Sequence, residues 1–366
     1  TDNLSANECL IRFGGDEFIV LAAQIKTRSQ IENLCQNLIQ WCSSEFEVLQ
    51  TKIVVSGSIG VAQAPYDGVK FKQLCRKADI AMYEAKRNGR NRFEFYDVRF
   101  DEESDEKFSL IQRLRPAVQA NALAVYYQPL IDLKTGNICA LEALLRWPQE
   151  DGSMIFPDRF IPLAESSGLI DTLGAWVLNQ ACMFCAKQQQ NGNSELSIAV
   201  NLSFAQFKDG NLPQIVKGAL ETSQLAPEHL ELELTESILA DDNGNVIQQL
   251  EQIKSLGVTF AIDDFGTGYS NLNYLRTFSA QKLKIDRIFI NTLGFDEKDV
   301  PLVTAIISIA ESLGMATVAE GIENEAALKK ITEMGCDIGQ GYYWSKPVPA
   351  EQIERLIEAQ SPTNQR

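Results

Sequence analysis

Polar residues stand at the ends of seven apolar segments in the second part of this 366-residue chain. A carboxylate, amide or ammonium group is costly to bury in an apolar strand unless it is paired or bound to a metal, so we expect these groups to converge on a ligand. Their carboxylate and amide oxygens form a donor set that suits Mg²⁺ or Mn²⁺. The positions are Glu142, Asn201, Glu233, Asp263 with Asp264, Lys284, Glu320 and Gln340.

The adjacent aspartates and the net charge indicate a class of chemistry. Asp263 and Asp264 could each serve a different ion of a two-ion site. Two ions about 4 Å apart suit in-line displacement at phosphorus, because they clamp both the attacking and the leaving oxygen. The formal charge of -16 argues against binding a DNA or RNA polymer or an anionic membrane by charge alone. The pattern therefore predicts a phosphate-bearing substrate in a pocket made locally cationic by metal ions.

Eight strand-like segments must position these side chains. The first two are joined only by a turn around Lys134-Thr135-Gly136, which is too short for a helical crossover, so they must pair antiparallel. Most later strands follow helix-sized segments, which predicts an α/β fold, a TIM-type (β/α)8 barrel with one antiparallel strand. A flat doubly wound sheet is the alternative, but it does not explain the strand-end groups. The segments are 124–133, 137–147, 196–202, 230–235, 258–264, 282–288, 316–320 and 336–344.

The first part of the chain indicates a smaller mixed α/β unit. Residues 9–21 predict a hairpin around a Gly14-Gly15-Asp16-Glu17 turn, since glycine adopts the positive φ values that tight turns need. Helices are predicted at 31–42 and 71–85, and strands at 53–62 and 92–96. The acidic run at 98–107 lacks an apolar period and is interpreted as a linker. The predicted domains are therefore 1–97 and 108–366.

Composition indicates a cellular compartment. The eight cysteines form no disulfide framework, which favours a reducing cytosol, and the Cys182–Cys185 pair lies in a helical pattern. No segment approaches the roughly 20 apolar residues that span a bilayer. The chain starts without Met directly before a strand, so we expect a sensory or membrane region upstream in a parent protein, which could be anchored to the inner membrane.

The strand-end residues stand in motifs that resemble, in order, the signature of EAL-domain cyclic di-GMP phosphodiesterases. The resemblance covers roughly residues 108–358, and none of the expected groups is substituted. The family's barrel has the reversed strand that the short turn predicts. The motifs are Glu142-Ala-Leu-Leu-Arg-Trp147, Asn201-Leu-Ser203, Glu233-Leu-Thr-Glu236, Asp263-Asp-Phe-Gly-Thr-Gly-Tyr-Ser270, Leu283-Lys-Ile-Asp-Arg287, Val318-Ala-Glu-Gly-Ile-Glu323 and Gln340-Gly-Tyr342.

The resemblance implies two divalent cations, Mg²⁺ or Mn²⁺, and hydrolysis of cyclic di-GMP to linear pGpG. Asp263 would bridge the two ions. Lys284 would orient the attacking water and offset charge in the transition state, whereas a general-base role for Glu320 is optional. The first ion would be held by Glu142, Asn201, Glu233 and Asp263, and the second by Asp263, Asp264 and Glu320.

The same resemblance implies a set of residues around the ions. Arg146 would contact a substrate phosphate, and Leu145 and Gln340 would line the pocket. Glu323 would act through water. Glu236 would hold the loop Phe265–Ser270, in which Gly266 and Gly268 permit movement.

The front unit is similar to the second part of GGDEF domains, which make cyclic di-GMP from GTP. Gly14-Gly-Asp-Glu-Phe18, Ser58-Ile-Gly-Val61 and the stretch 78–91 carry this resemblance. The family's first strand and following helix have no counterpart, so GTP binding is expected only in a longer parent. The family's inhibitory Arg-x-x-Asp motif falls on Ser5-Ala-Asn-Glu8 and is not matched.

Two further readings stay open beside the enzyme. A receptor that binds cyclic di-GMP without hydrolysing it would be expected to have lost metal ligands or Lys284, and neither is lost. The front unit could act as a regulatory module. The family also implies a homodimer, although spacing alone does not locate its interface.

Overall fold

The computed structural model describes residues 7–44, 46–48, 51–53, 55–120, 122–239, 244–266, 278, 280–293, 295 and 298–360. The chain divides into two compact units, Thr1–Ser109 and Leu110–Arg366. None of the helices in the described ranges combines the length and the apolar character that a membrane crossing requires.

The first unit contains the predicted hairpin and the two predicted amphipathic helices, whereas the single strand predicted at 53–62 is wrong: β4 ends at Ile53 and β5 covers only Ile59–Val61. Strands β1 and β2 form the antiparallel hairpin, β3 pairs antiparallel with β4, and β5 pairs parallel with β6. Helix α1 begins at a capping box, in which Thr27 and Gln30 satisfy each other's backbone N–H groups. The elements are β1 (Glu8–Gly14), β2 (Glu17–Ala22), α1 (Arg28–Cys42), β3 (Phe46–Val48), β4 (Thr51–Ile53), β5 (Ile59–Val61), α2 (Phe71–Arg87), β6 (Phe93–Phe95) and α3 (Val98–Gln119).

The run at 98–107, interpreted as a linker, is the first part of helix α3. Glutamate, lysine and arginine have good helix propensity, so a polar run can be helical without an apolar stripe. The boundary between the two units falls within this helix. The predicted domain limits, 1–97 and 108–366, stay predictions.

The second unit is built around alternating strands and helices. Besides the labelled elements it has two single-turn 3-10 helices, Phe204–Phe207 and Pro227–His229. The elements are β7 (Ala124–Asp132), β8 (Ile138–Pro148), β9 (Met154–Ile155), α4 (Pro157–Ser166), α5 (Ile170–Gln190), β10 (Ser197–Asn201), α6 (Leu212–Ser223), β11 (Leu230–Thr235), α7 (Glu236–Leu239), α8 (Gly244–Ser255), β12 (Thr259–Phe265), β13 (Lys282–Ile285), α9 (Arg287–Ile290), α10 (Val300–Ser312), β14 (Ala316–Ala319), α11 (Glu325–Glu333), β15 (Ile338–Gly339), β16 (Val348–Pro349) and α12 (Ala350–Gln360).

Eight of these strands close into the predicted barrel. Their order is β7-β8-β10-β11-β12-β13-β14-β15, and β15 pairs back with β7. Strand β7 is antiparallel to both neighbours, whereas the other adjacent pairs are parallel. The closed order excludes the doubly wound sheet and confirms the single reversed strand.

Side chains alternate between the two faces of each strand, so the buried apolar residues form two separate clusters. One large cluster of buried apolar residues includes Ile198, Leu232, Ile262 and Leu283 together with residues of the helices. A small separate cluster consists of Leu130, Ala140, Val318 and Ile338. The members of this small cluster share the strand face that carries the polar strand-end groups, so polar residues occupy much of the barrel interior.

Two strands are shorter than predicted, for local reasons. Strand β13 ends at Ile285 because the Asp286 side chain accepts a hydrogen bond of 2.7 Å from the Ile288 N–H and starts α9. Strand β15 covers only Ile338–Gly339. The chain then passes so close to Ile322 that a Cβ on Gly341 would lie 2.0 Å from the Ile322 carbonyl oxygen.

Candidate active site

Carboxylates from four strand ends surround the Lys284 ammonium group inside the barrel. Its Nζ lies 2.8 Å from Glu233 Oε2 and 2.8 Å from Glu320 Oε1. It also lies 3.3 Å from Asp263 Oδ1 and 3.9 Å from Glu142 Oε1. The Lys284 side chain is 1% exposed, so these ion pairs are sheltered from water. The structure thus brings together five of the sequence-predicted groups.

The four carboxylates keep Lys284 charged despite its burial. Burial alone would lower the pKa of the ammonium, but Asp263, Glu142, Glu233 and Glu320 raise it well above the ordinary value. A lysine in this setting is a fixed positive charge and hydrogen-bond donor, not a base.

One ammonium does not balance this many carboxylates. Burial, reinforced by the charge of Glu142, raises the pKa of Glu233 well above its ordinary value. Burial also raises the pKa of Glu320 to about 7. Glu142 differs: burial opposes its ionisation, but Lys284, Gln340 and Asn201 outweigh this and lower its pKa. The site therefore has an excess of carboxylate that additional positive charge would stabilise.

A β-bulge lets consecutive aspartates face one site. The register pairs Ile262 with Leu283 and Phe265 with Ile285, so Asp263 and Asp264 together stand opposite Lys284 alone. Asp264 adopts a left-handed φ of 55°, and its N–H donates a 2.9 Å hydrogen bond to Asp263 Oδ1. In a regular strand the two side chains would point to opposite faces.

A chain of amides supports Glu142. Asn201 Nδ2 donates to Glu142 Oε1 at 2.7 Å, and Gln340 Nε2 donates to Glu142 Oε2 at 2.5 Å. Gln340 Nε2 also donates to Gln128 Oε1 at 3.1 Å, and Gln128 Nε2 donates to the Ser345 carbonyl at 3.1 Å. Because a backbone carbonyl only accepts, it fixes the orientation of both glutamine amides.

Arg146 follows Glu142 on β8, and its guanidinium lies near two aromatic rings. Its Cζ is 5.9 Å from the Tyr126 ring centroid and 5.7 Å from that of Phe156. Its Nη1 donates a 2.8 Å hydrogen bond to the Leu145 carbonyl, and burial lowers its pKa. The Leu145 side chain packs in the large apolar cluster, so the predicted substrate contact of this residue stays a prediction.

The predicted loop-holding residue Glu236 opens α7 directly after β11. Both of its carboxylate oxygens are buried, and no residue in the described ranges forms a hydrogen bond with them. The predicted loop Phe265–Ser270 is described only at Phe265 and Gly266, so Gly268 lies outside the described residues. Glu323 is exposed just before Asn324, which caps α11. The roles of Glu236 and Glu323 stay predictions.

Two buried groups of the site were not predicted. Asp286 follows β13, caps α9, and contributes to raising the pKa of Asp264 to about 6, after burial and the charge of Asp263. It stands within the Leu283–Arg287 motif directly after a strand, and this position was the signal available in the sequence. Gln128 lies on β7 opposite Glu142. Its position in the sequence does not indicate a role in the site, because its contact with Gln340 forms only when β15 pairs with β7.

The residues present suit divalent cations. Asp263, Asp264 and Glu320 each offer an oxygen atom, and these atoms lie within 4.8 Å of one another. Glu233 Oε2 is paired with Lys284 Nζ at 2.8 Å, whereas its buried Oε1 forms no hydrogen bond within the described residues. An all-oxygen donor set with excess negative charge is the environment that Mg²⁺ or Mn²⁺ occupies.

In the first unit, the predicted Gly14–Phe18 motif forms the turn of the β1–β2 hairpin. Gly15 has a positive φ of 53°, and the Arg12 side chain donates two hydrogen bonds to its carbonyl. Asp16 and Glu17 are exposed. The Ser5–Glu8 stretch lies partly outside the described residues.

Comparison with known proteins places both units. The family model for the EAL domain matches residues 111–347, and that for the diguanylate cyclase, GGDEF domain, matches residues 1–92. The bifunctional diguanylate cyclase/cyclic di-GMP phosphodiesterase MucR of Pseudomonas aeruginosa is 39% identical, over 96% of this chain and 51% of that protein. The cyclic di-GMP phosphodiesterase NbdA of the same organism is 36% identical, over 97% of this chain and 45% of that protein. The chain thus spans about half the length of these relatives.

A solved structure supports the same assignment. The PaMucR phosphodiesterase in its c-di-GMP complex is 42% identical, covers 67% of this chain and 99% of its own chain, and superposes with a TM-score of 0.64. The likeness extends over almost the whole of that solved chain. The protein therefore belongs to the EAL-domain family, with a region of the GGDEF type in front of its barrel.

Proposed function

We propose that this chain hydrolyses one phosphodiester bond of cyclic di-GMP, giving linear pGpG, with the help of two divalent cations. The observation that carries the proposal is the ring of four strand-end carboxylates around the buried Lys284. Relatives named cyclic di-GMP phosphodiesterases support the substrate, as does the similar structure solved with c-di-GMP.

The carboxylates would hold the cations, which are Mg²⁺ or Mn²⁺. Bound there, the ions would acidify a water molecule and neutralise phosphate charge. One ion would be held by Glu142, Asn201, Glu233 and Asp263, and the other by Asp263, Asp264 and Glu320. The close approach of Asp263, Asp264 and Glu320 supports the second set. The amide contacts of Glu142 support its fixed orientation in the first set.

Lys284 would act on the reacting groups through its charge. The surrounding carboxylates hold its ammonium protonated, so it can donate hydrogen bonds to the attacking water and to a phosphate oxygen as negative charge builds up. Glu320, 2.8 Å from that ammonium, could accept the proton of the water. Proton transfer by Glu320 is the less essential part of the proposal.

Arg146 and Gln340 would position the substrate. The Arg146 guanidinium would donate hydrogen bonds to a phosphate, and it lies 5.9 Å and 5.7 Å from the ring centroids of Tyr126 and Phe156. Gln340 would line the pocket while its amide holds Glu142. Leu145 would line the pocket next to Arg146. Glu236 would hold the following loop in its productive shape, and Glu323 would act through water.

Incubation of the purified chain with cyclic di-GMP and Mn²⁺, followed by chromatography of the nucleotides, tests the proposal. We expect pGpG to appear, and to be absent with a chelator or in the Glu142→Ala variant. A folded chain that binds cyclic di-GMP but leaves it intact would instead support a receptor. Light scattering on the same sample tests the homodimer that the family implies.

A further inference from the structure

A second buried ion pair lies inside the barrel, below the candidate active site. Lys282 Nζ lies 2.9 Å from Glu231 Oε2 and 3.1 Å from Glu231 Oε1. The Glu231 side chain is 4% exposed and that of Lys282 is 18% exposed. Neither residue belongs to the strand-end set, and the proposed function assigns them no role.

This pair has the same arrangement as the Glu233–Lys284 ion pair, one layer of side chains deeper in the barrel. Glu231 stands two residues before Glu233 on β11, and Lys282 stands two residues before Lys284 on β13. Alternate residues of a strand share a face, so the two layers are about 7 Å apart on the same inner surface. Each layer therefore links a glutamate of β11 to a lysine of β13.

The two linked strands are not neighbours, because β12 lies between them. Ala261 of β12 is in register with both Glu233 and Lys282. Its single methyl group leaves the space through which the Lys282 side chain reaches Glu231. The ion pair is thus a direct connection between β11 and β13 that bypasses the intervening strand.

That connection lies next to an irregularity in the backbone pairing of β12 and β13. The regular β12–β13 register stops after Ile262 and Leu283, where the bulge at Asp263 and Asp264 begins. Lys284 therefore sits opposite the bulge and has no regular partner on β12, so its backbone is paired only on the other side, with Val318 of β14. The last regular rungs before the bulge are those of Lys282 and Leu283.

We propose that Glu231 and Lys282 are positioning residues, whose ion pair ties β13 to β11 and so keeps Lys284 level with Glu233 in the metal site. The inference rests on the proposed function, since it concerns the cations assigned to that site. Residues that support metal ligands from outside commonly change metal affinity ten- to a hundredfold when they are replaced.

The direction in which each single variant changes Mn²⁺ affinity distinguishes a positioning role from a purely electrostatic one. Glu231→Gln leaves an extra positive charge below the site, which by charge alone would weaken cation binding. Lys282→Met leaves an extra negative charge, which by charge alone would strengthen cation binding. Positioning requires that both variants bind Mn²⁺ more weakly.

The experiment is a Mn²⁺ titration of the full chain, followed through the electron paramagnetic resonance signal of free Mn²⁺. We expect both variants to lose about tenfold in affinity, and to lose kcat with an unchanged KM for cyclic di-GMP. Lys187→Met and Glu354→Gln are matched controls, since they break a 2.8 Å ion pair between α5 and α12 outside the barrel interior. These controls should bind Mn²⁺ like the unmodified chain.

A double variant, Glu231→Leu with Lys282→Met, separates a loss of metal affinity from a loss of folding stability. An apolar pair often restores the stability lost with a buried ion pair, but it lacks directed bonds, so Mn²⁺ affinity should stay low while Tm recovers. Opposite changes in the two single variants, or normal affinity with a lowered Tm, would overturn the inference. Absence of Mn²⁺ binding by the unmodified chain would instead overturn the proposed function and the inference with it.

Discussion

Two pairs of consecutive acidic residues, one in each unit, have surroundings that differ strongly. Asp16 and Glu17 occupy the tip of the β1–β2 hairpin, where both are exposed. Asp263 and Asp264 occupy a bulge at the end of β12, where Asp263 is half-buried, Asp264 is exposed, and Asp263 Oδ1 lies 3.3 Å from the buried Lys284 Nζ. Partial burial and the neighbouring charges of Lys284, Glu320 and Asp286 turn one pair into interacting groups, whereas the other pair is surrounded by water.

This contrast shows that a barrel supplies what a hairpin does not. Parallel strands bring residues that are far apart in sequence, such as Glu142 and Glu320, to the same lysine. The bulge then adds a second aspartate that ordinary strand alternation would turn away. In the hairpin, by contrast, local backbone bonds and the Arg12 contact with Gly15 define the turn, and the acidic side chains point into solvent.

The largest expected effect comes from removing the charge at the centre of the barrel site. Lys284→Met leaves the surrounding carboxylates without their shared partner and removes a donor to the transition state. We expect kcat for cyclic di-GMP to fall at least about a thousandfold. Steady-state kinetics with circular dichroism as a check on folding measures this. Lys187→Met, on the outside of the barrel, should keep its activity, and comparable losses in both variants would contradict a special role for Lys284.

The next largest effect concerns the bulge itself. Asp264→Asn removes a carboxylate but keeps a residue that tolerates the left-handed φ of 55°. We therefore expect unchanged or higher stability together with a loss of about a hundredfold in kcat, the magnitude typical of one lost electrostatic contact. Thermal unfolding and kinetics on one preparation separate the two. A fall in Tm with intact kcat would show that Asp264 shapes the bulge and does not serve the reaction.

Features that depend on neighbouring residues in the sequence could be predicted, whereas contacts between residues far apart in the sequence could not. Strand positions and the reversed strand followed from local apolar patterns and from the short turn at Lys134–Gly136. The strand-end set followed from polar residues that interrupt those patterns. Gln128 and the Glu231–Lys282 pair could not be predicted in this way, because their partners are set by barrel closure and register. Helix α3 was missed for the opposite reason, since its polar sequence has no apolar period at 98–107.

A smaller effect concerns the stability of the metal-free chain. Glu320 has a folded pKa of about 7 against an ordinary value of 4.5, so the folded state binds its proton more tightly than the unfolded state. The free energy of unfolding should therefore fall as the pH rises through this window. Glu142, whose pKa is lowered, acts only below the window. Thermal unfolding in chelator should give a Tm a few degrees lower at about pH 7.5 than at about pH 5.

Two comparisons check the origin of that pH effect. Glu320→Gln should make the dependence smaller without abolishing it, because Asp264 and Glu233, whose pKa values are also raised, still contribute in the same direction. Added Mn²⁺ should raise Tm most at the higher pH, where the carboxylates are ionised. An unchanged pH dependence in Glu320→Gln would assign the effect to other groups.

The smallest expected effect is at the hairpin, where a substitution of Asp16 serves as the counterpart of the Asp264 substitution. Asp16→Asn makes the same chemical change as Asp264→Asn, but at an exposed turn whose backbone is held by Arg12 and by the positive φ of Gly15. We expect the free energy of unfolding to change by no more than about 0.5 kcal/mol, with kcat for cyclic di-GMP unaltered. Chemical denaturation and kinetics measure both quantities. If Asp16→Asn lowered the hydrolysis rate, acidic residues of the first unit would have to influence the barrel, and the local surroundings of each pair would no longer explain why the two pairs differ.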